Sequence, residues 1–229
     1  MSESESESVS REVAQRVFAA EFNDASYTFK ESDDDRAPVY LLLPTGQRAN
    51  RVFFVGTLTE TEDVGEDNEY WRGRIVDPTG TFFVYAGQYQ PDAASTLREL
   101  EPPAYVAVVG KPRTYETDDG EINVSVRPES ITEVDAATRD QWVVETADRT
   151  LDRIDDFDEA GNEYARMATE QYGDDVSQYT DTVIQGLESL ESDSTDELDG
   201  DAAGDGGTVS DADADSDDVA DAADPSPQA

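Results

Sequence analysis

Residues 74–84, Arg74-Ile75-Val76-Asp77-Pro78-Thr79-Gly80-Thr81-Phe82-Phe83-Val84, set two alternating runs on either side of a four-residue turn signal. Asp77 offers a side chain that bonds nearby backbone, Pro78 presets φ, and Gly80 eases the exit, so the segment predicts a β-hairpin. Outward from it the period of two continues. RVFFVGTLTE (51–60) is a strand candidate before the acidic turn EDVGEDNE, EYWRGRIV (69–76) is a second, and TFFVYAG (81–87) a third. QPDAASTLRELEPP reads as one short helix, because Pro91 suits a first helical position and Pro102-Pro103 stops the run. AYVAVVG (104–110) and INVSVRP (122–128), separated by TDDGE, make the fourth and fifth strands.

Five short strands with one helix between the third and fourth are the arrangement of the five-stranded Greek-key OB barrel. The expected fold class is therefore β with flanking α: an OB-fold barrel with N- and C-terminal helices and disordered acidic tails. Residues 9–22 place Val9, Val13, Val17 and Ala20 at helical spacing beside Phe18 and Phe22, which predicts an amphipathic helix. VYLLLP (39–44) is either a short strand or an extended segment on the core. Residues 138–190 return to helical period, with a capping box at Thr138 and Gln141 and a break at Gly161-Asn162. Two further helical stretches follow, one carrying Tyr164, Met167, Ala168 and Tyr172, the other Val176, Tyr179, Val183, Leu187 and Leu190. The boundaries expected are 1–8 disordered N-terminus, 9–50 helix and connection, 51–134 barrel, 135–192 helical region and 193–229 disordered tail. From Gln185 onward there are 15 acids and no base, too little apolar surface to offset chain entropy.

Composition narrows the chemistry. With no histidine and no cysteine in 229 residues, disulfides, thiol nucleophiles, cysteine-held metals and histidine acid–base catalysis are excluded. Asp33-Asp34-Asp35, Asp118-Asp119 and Asp155-Asp156 read as solvated charge, since none has the spacing of a calcium loop. No enzyme, cofactor or metal is expected. The 55 acids against 16 bases, of which only Lys30 and Lys111 are lysines, give a net charge of −39. That excess self-repels in dilute buffer and is screened in molar salt, which points to an extremely halophilic cytoplasm. No run of apolar residues reaches the length of a membrane span, and a soluble cytoplasmic protein without membrane contact is expected.

Alternation assigns faces. Phe82, Val84, Ile75 and Trp71 are expected inside, leaving Arg72, Arg74, Phe83 and Tyr85 outside on the second and third strands. In the fifth strand Ile122, Val124 and Val126 are expected to face in, and Asn123, Ser125 and Arg127 out. Lys111, Arg113 and Tyr115 add two charges and a ring. This is the surface on which OB folds hold oligonucleotides, with aromatics stacking on bases and arginines neutralising phosphates. Competing readings bury Phe83 and Tyr85 under the flanking helices, or pair Arg72 and Arg74 with the abundant carboxylates.

The strand–Asp-x-Thr-Gly–strand hairpin resembles that of replication protein A-type OB domains. Together with NRVFFVGTLTE and AGQYQPDA, it is similar to haloarchaeal replication protein A-associated proteins over about residues 9–190. The resemblance implies an accessory subunit of a single-stranded-DNA-binding complex in DNA replication, repair and recombination. It also implies a larger replication protein A-like partner subunit, with single-stranded DNA bound directly or through the complex. Subunits of this type commonly join through a helix after the barrel, here the one bearing Val144, Ala147, Leu151 and Ile154. The alternative is an OB scaffold that binds only protein; an RNA-binding module in translation is a third reading.

Overall fold

The computed structural model describes residues 12–201. In chain order the elements are β1 (Gln15–Arg16), α1 (Ala19–Asp24), β2 (Thr28–Lys30), β3 (Val39–Leu43), β4 (Gln47–Ala49) and β5 (Val52–Asp63). There follow β6 (Trp71–Asp77), β7 (Gly80–Ala86), α2 (Pro91–Glu99), β8 (Ala104–Glu116), β9 (Ile122–Glu133), α3 (Ala136–Asp155), α4 (Glu163–Tyr172) and α5 (Ser177–Asp201). The hairpin, the helix between the third and fourth barrel strands, and all five strands lie where the alternation predicts.

The main sheet runs β1-β5-β6-β7-β9-β8, and pairing of β5 with β8 closes it into a five-stranded barrel. The closing contact between β7 and β9 is parallel, Val84 against Val126, while the other barrel pairs are antiparallel. This is an OB fold with flanking helices. Closure demands that β5 serve two neighbours: Thr57 and Leu58 pair with both β6 and β8. A register shift between Leu58 and Glu60 lets the strand bend there. Gly56 sits at the same crossing, where an added Cβ would lie 2.6 Å from the Val76 carbonyl oxygen.

Inside, the Phe54 and Phe82 rings stack with centroids 3.9 Å apart. Ile75, Val84, Ala86, Val106, Val108 and Val126 are fully buried around them. Each such large side chain contributes about 1.5–3 kcal/mol through its removal from water. At the end of the barrel near the β6–β7 turn, α1 packs on β7, with Phe22 against Phe82 at 5.3 Å. At the other end Leu97 of α2 is fully buried beside Gly73.

A second sheet of β2, β3 and β4 was not expected. It turns VYLLLP into a strand buried on both sides. Leu41 and Leu43 join the barrel core, and Leu42 joins a separate cluster with Phe157, Ala165 and Ala168. Burial on both faces erases the alternation that marks a half-exposed strand.

Several expectations are corrected. The helix foreseen over 9–22 begins only at Ala19, while Gln15–Arg16 pair with β5 as a short parallel strand. Val13 is 83 % exposed, and Val9 lies outside the described residues. Trp71 is half-buried against the core rather than inside it. Ile122 lies at the tip of the β8–β9 hairpin, beyond the barrel, and is exposed, while Ser125 is buried. The cap of α3 is Asp135, whose side chain accepts the Thr138 N–H, not the Thr138–Gln141 box. Gly161 adopts φ +119° and does break the helical region. Helix α5 continues to Asp201, into the span 193–229 expected as a disordered tail; the rest of that tail and the acidic end at 1–8 lie outside the described residues.

Candidate nucleic-acid interface

The β6–β7 register sets Arg72 opposite Tyr85 and Arg74 opposite Phe83, so four predicted site residues form two cross-strand pairs. All four are half-buried, with Gly73, Ile75, Phe82 and Val84 turned inward between them. The barrel then carries the same face onto its next strands. Val84 and Val126 both point in, which turns Arg127 outward alongside Tyr85. On β8, Lys111 lies opposite Arg127, Arg113 opposite Ser125 and Tyr115 opposite Asn123.

The aromatic rings gather at one edge of this face. Tyr70 stacks on Tyr85 with centroids 5.7 Å apart and planes at 21°. Partial burial pushes the Tyr85 hydroxyl above its ordinary value, Tyr115 and Tyr70 reinforce that, and Arg72 opposes it. Those four side chains therefore share one neighbourhood. Tyr70 is not among the predicted residues, although it stands two residues before Arg72 and so on the same side of the strand. Tyr89 was absent too; it is 82 % exposed and shares a recess of about 390 Å³ with Arg127.

The cations divide into two groups. Arg72 is neutralised, with Nη2 donating to Glu62 at 2.6 Å and Glu60 at 3.3 Å. Arg74 instead reaches hydroxyls, Thr59 at 3.0 Å and Thr81 at 3.4 Å. Among the described residues, Arg74, Lys111, Arg113 and Arg127 make no ion pair. Arg113 is pulled below the ordinary arginine value by partial burial and then by the positive charge of Arg127. Two guanidiniums that repel each other, in a chain with 55 carboxylates elsewhere, leave a local positive surface.

The hairpin that carries the face is anchored at its turn. Asp77 accepts from Thr79 and Gly80 backbone N–H groups at 2.8 and 2.9 Å, and from the Thr79 hydroxyl at 2.8 Å. Its other oxygen accepts the Ala19 N–H at 2.8 Å, which fixes where α1 starts. Gln185 of α5 donates to the Pro78 carbonyl at 2.6 Å.

The predicted partner-binding residues are scattered in exposure. On α3, Ala147 is buried in the core, Ile154 is half-buried, and Val144 and Leu151 are 50 % and 39 % exposed. The buried face of α3 is Arg139, Trp142, Val143, Thr146, Ala147, Thr150 and Arg153, which shares only Ala147 with the predicted stripe. Ile184 and Leu187 of α5 are also exposed.

No protein-family model matches the sequence, and no curated protein matches it. Among solved structures, the second single-stranded-DNA-binding protein of Mycobacterium smegmatis aligns at 19 % identity and TM-score 0.32, over 37 % of this chain and 86 % of that one. The asparaginyl-tRNA synthetase of Pyrococcus horikoshii aligns at 19 % identity and TM-score 0.31, over 38 % of this chain and 20 % of that one. An OBody bound to hen egg-white lysozyme aligns at 16 % identity and TM-score 0.31, over 37 % of this chain and 80 % of that one. Among the described residues no helix is long and apolar enough to cross a membrane.

Proposed function

We propose that this protein binds single-stranded DNA, without catalysis, on the β6–β7–β9–β8 face. In that role it serves as an accessory subunit of a replication protein A-like complex. The observation that carries the reading is the gathering of Arg74, Lys111, Arg113 and Arg127, none ion-paired among the described residues, beside Phe83, Tyr85, Tyr70 and Tyr115. Stacking rings with phosphate-neutralising cations bind single strands without reading sequence. Phe83→Ala combined with Tyr85→Ala is expected to weaken binding of oligo(dT) by about 2–6 kcal/mol, at about 1–3 kcal/mol per stacked base. Fluorescence anisotropy in high KCl checks this, and an unchanged affinity with partner binding lost selects the protein scaffold instead. Tighter binding of the matching RNA would favour the third reading.

The exposed Val144 and Leu151 on α3, with Ile184 and Leu187 on α5, support a protein partner as well. Leu151→Asp is expected to abolish association with the larger subunit in co-purification while thermal unfolding stays cooperative. Loss of the fold itself would make Leu151 part of the protein's own core.

A further inference from the structure

The cationic face does not stop at the barrel. Arg113 and Lys111, which end its rows on β8, also line a recess of about 530 Å³ between β8 and the segment entering β3. Arg36 and Arg51 line it too. Arg51 is held by both oxygens of Glu129, but Arg36, like Lys111 and Arg113, makes no ion pair among the described residues. Among the described residues the one acid lining the recess, Glu12, is engaged by Arg48 at 2.9 Å. Tyr40, the one aromatic ring lining the recess among the described residues, is 6 % exposed and covered by the Arg48 guanidinium 4.4 Å from its centroid. A strand leaving the barrel over Arg113 therefore meets positive charge but no free ring on which a base can stack.

We infer that this recess carries the sugar–phosphate backbone of the nucleotides beyond those stacked on the barrel, so that the segment before β3 belongs to the binding site. The inference rests on the proposed single-strand reading of the barrel face and extends its footprint. Its chemistry is phosphate neutralisation alone, so the recess adds affinity with strand length and is indifferent to base identity.

The test compares oligo(dT) of about 5 and about 15 nucleotides, within the range of OB-fold site sizes, on the full chain at the lowest KCl that keeps it folded. Arg36 is exposed, and the thermal unfolding of Arg36→Glu is recorded beside the binding curves. The expected result is a loss of about fivefold or more on the longer strand and less than about twofold on the shorter. The double variant Phe83→Ala, Tyr85→Ala is expected to lose affinity for both lengths. If Arg36→Glu weakens both lengths equally, or neither, while the aromatic variant loses both, the recess is not part of the track and the barrel reading stands. If the aromatic variant binds both lengths as the wild type does, the barrel reading fails first. Tight binding of inorganic phosphate alone, lost in Arg36→Glu, would overturn the strand track by assigning the recess to a free phosphate.

Discussion

Asp77 shows how one side chain ties local sequence to distant structure. Its Oδ1 closes its own turn through Thr79 and Gly80, while Oδ2 reaches 58 residues back to the Ala19 N–H. Replacing it with alanine strands three backbone donors and removes the start of α1, at an expected cost of about 2–4 kcal/mol in equilibrium unfolding. Burial pushes the Asp77 carboxyl up to about 6 from an ordinary 3.8, against the downward pull of these bonds. The folded protein thus holds that proton more tightly than the unfolded chain. Its contribution is fully present only below about pH 3 and is lost as the pH rises through about 6. The unfolding free energy of the wild type minus that of Asp77→Asn should fall by about 2 kcal/mol between pH 4 and pH 7 and then level. A flat difference over that range would mean that the hydrogen bonds balance burial, and a rising one that they outweigh it. Arg72 and Arg74 divide at the same scale: the sequence places both on one face, yet only the register reveals Glu60 and Glu62 within reach of Arg72.

Helix α3 is fastened by a buried polar clamp. Arg153 donates to Glu21 of α1, to Thr45 in the β3–β4 turn at 2.9 Å, to Thr150 at 3.0 Å and to the Arg16 carbonyl at 3.2 Å. The Thr45 hydroxyl completes it by donating to Glu21. Arg153→Leu leaves the fully buried Glu21 without its counter-charge, and chemical denaturation should register a loss of about 3–5 kcal/mol. The double variant with Glu21→Leu should lose less than the two single variants summed, because it removes both charges together. No periodicity announces such a clamp: Glu21 and Arg153 read as solvated charges, and their meeting is set by packing 132 residues apart in sequence. The same limit explains the other elements. Alternation over 71–77 and 80–86 made the hairpin and its faces legible, since each strand has one core side and one outer side. It could not show β2 and β4, three residues each, nor that consecutive Val17 and Phe18 would both be buried. At the site, Arg74, Phe83 and Tyr85 were readable from the two-residue period, and so was Tyr70. The recess was not, because Arg36 and Lys111 are brought together only by tertiary folding.

Across the whole molecule, a net charge of −39 sets the conditions under which any of this operates. Screening shrinks the range of carboxylate repulsion to about 3 Å near 1 M salt, so the melting temperature should climb as KCl is raised from about 0.1 M into the molar range. A midpoint independent of KCl would refute a structure limited by self-repulsion. Salt acts on the ligand side in the opposite sense. With Arg74, Lys111, Arg113 and Arg127 as the phosphate contacts, the slope of log K against log[KCl] for single strands should be about −3, at about −0.7 per contact. Removing any one of the four should make it shallower by about 0.7. Affinity that survives in molar KCl then rests on the rings.

The β6–β7 turn is grasped from both directions along the chain, by α1 through Asp77 and by Gln185 of α5 at the Pro78 carbonyl. Gly186, the next residue, packs on Phe18, where an added Cβ would lie 3.0 Å from the ring. The hairpin therefore cannot open alone; both ends must let go with it. Its amide hydrogens should exchange with solvent deuterium only through opening of the whole barrel, at rates shared with α1 and the start of α5. A binding face held in that manner spends little entropy in becoming ordered when a strand arrives, so association should proceed without a slow conformational phase.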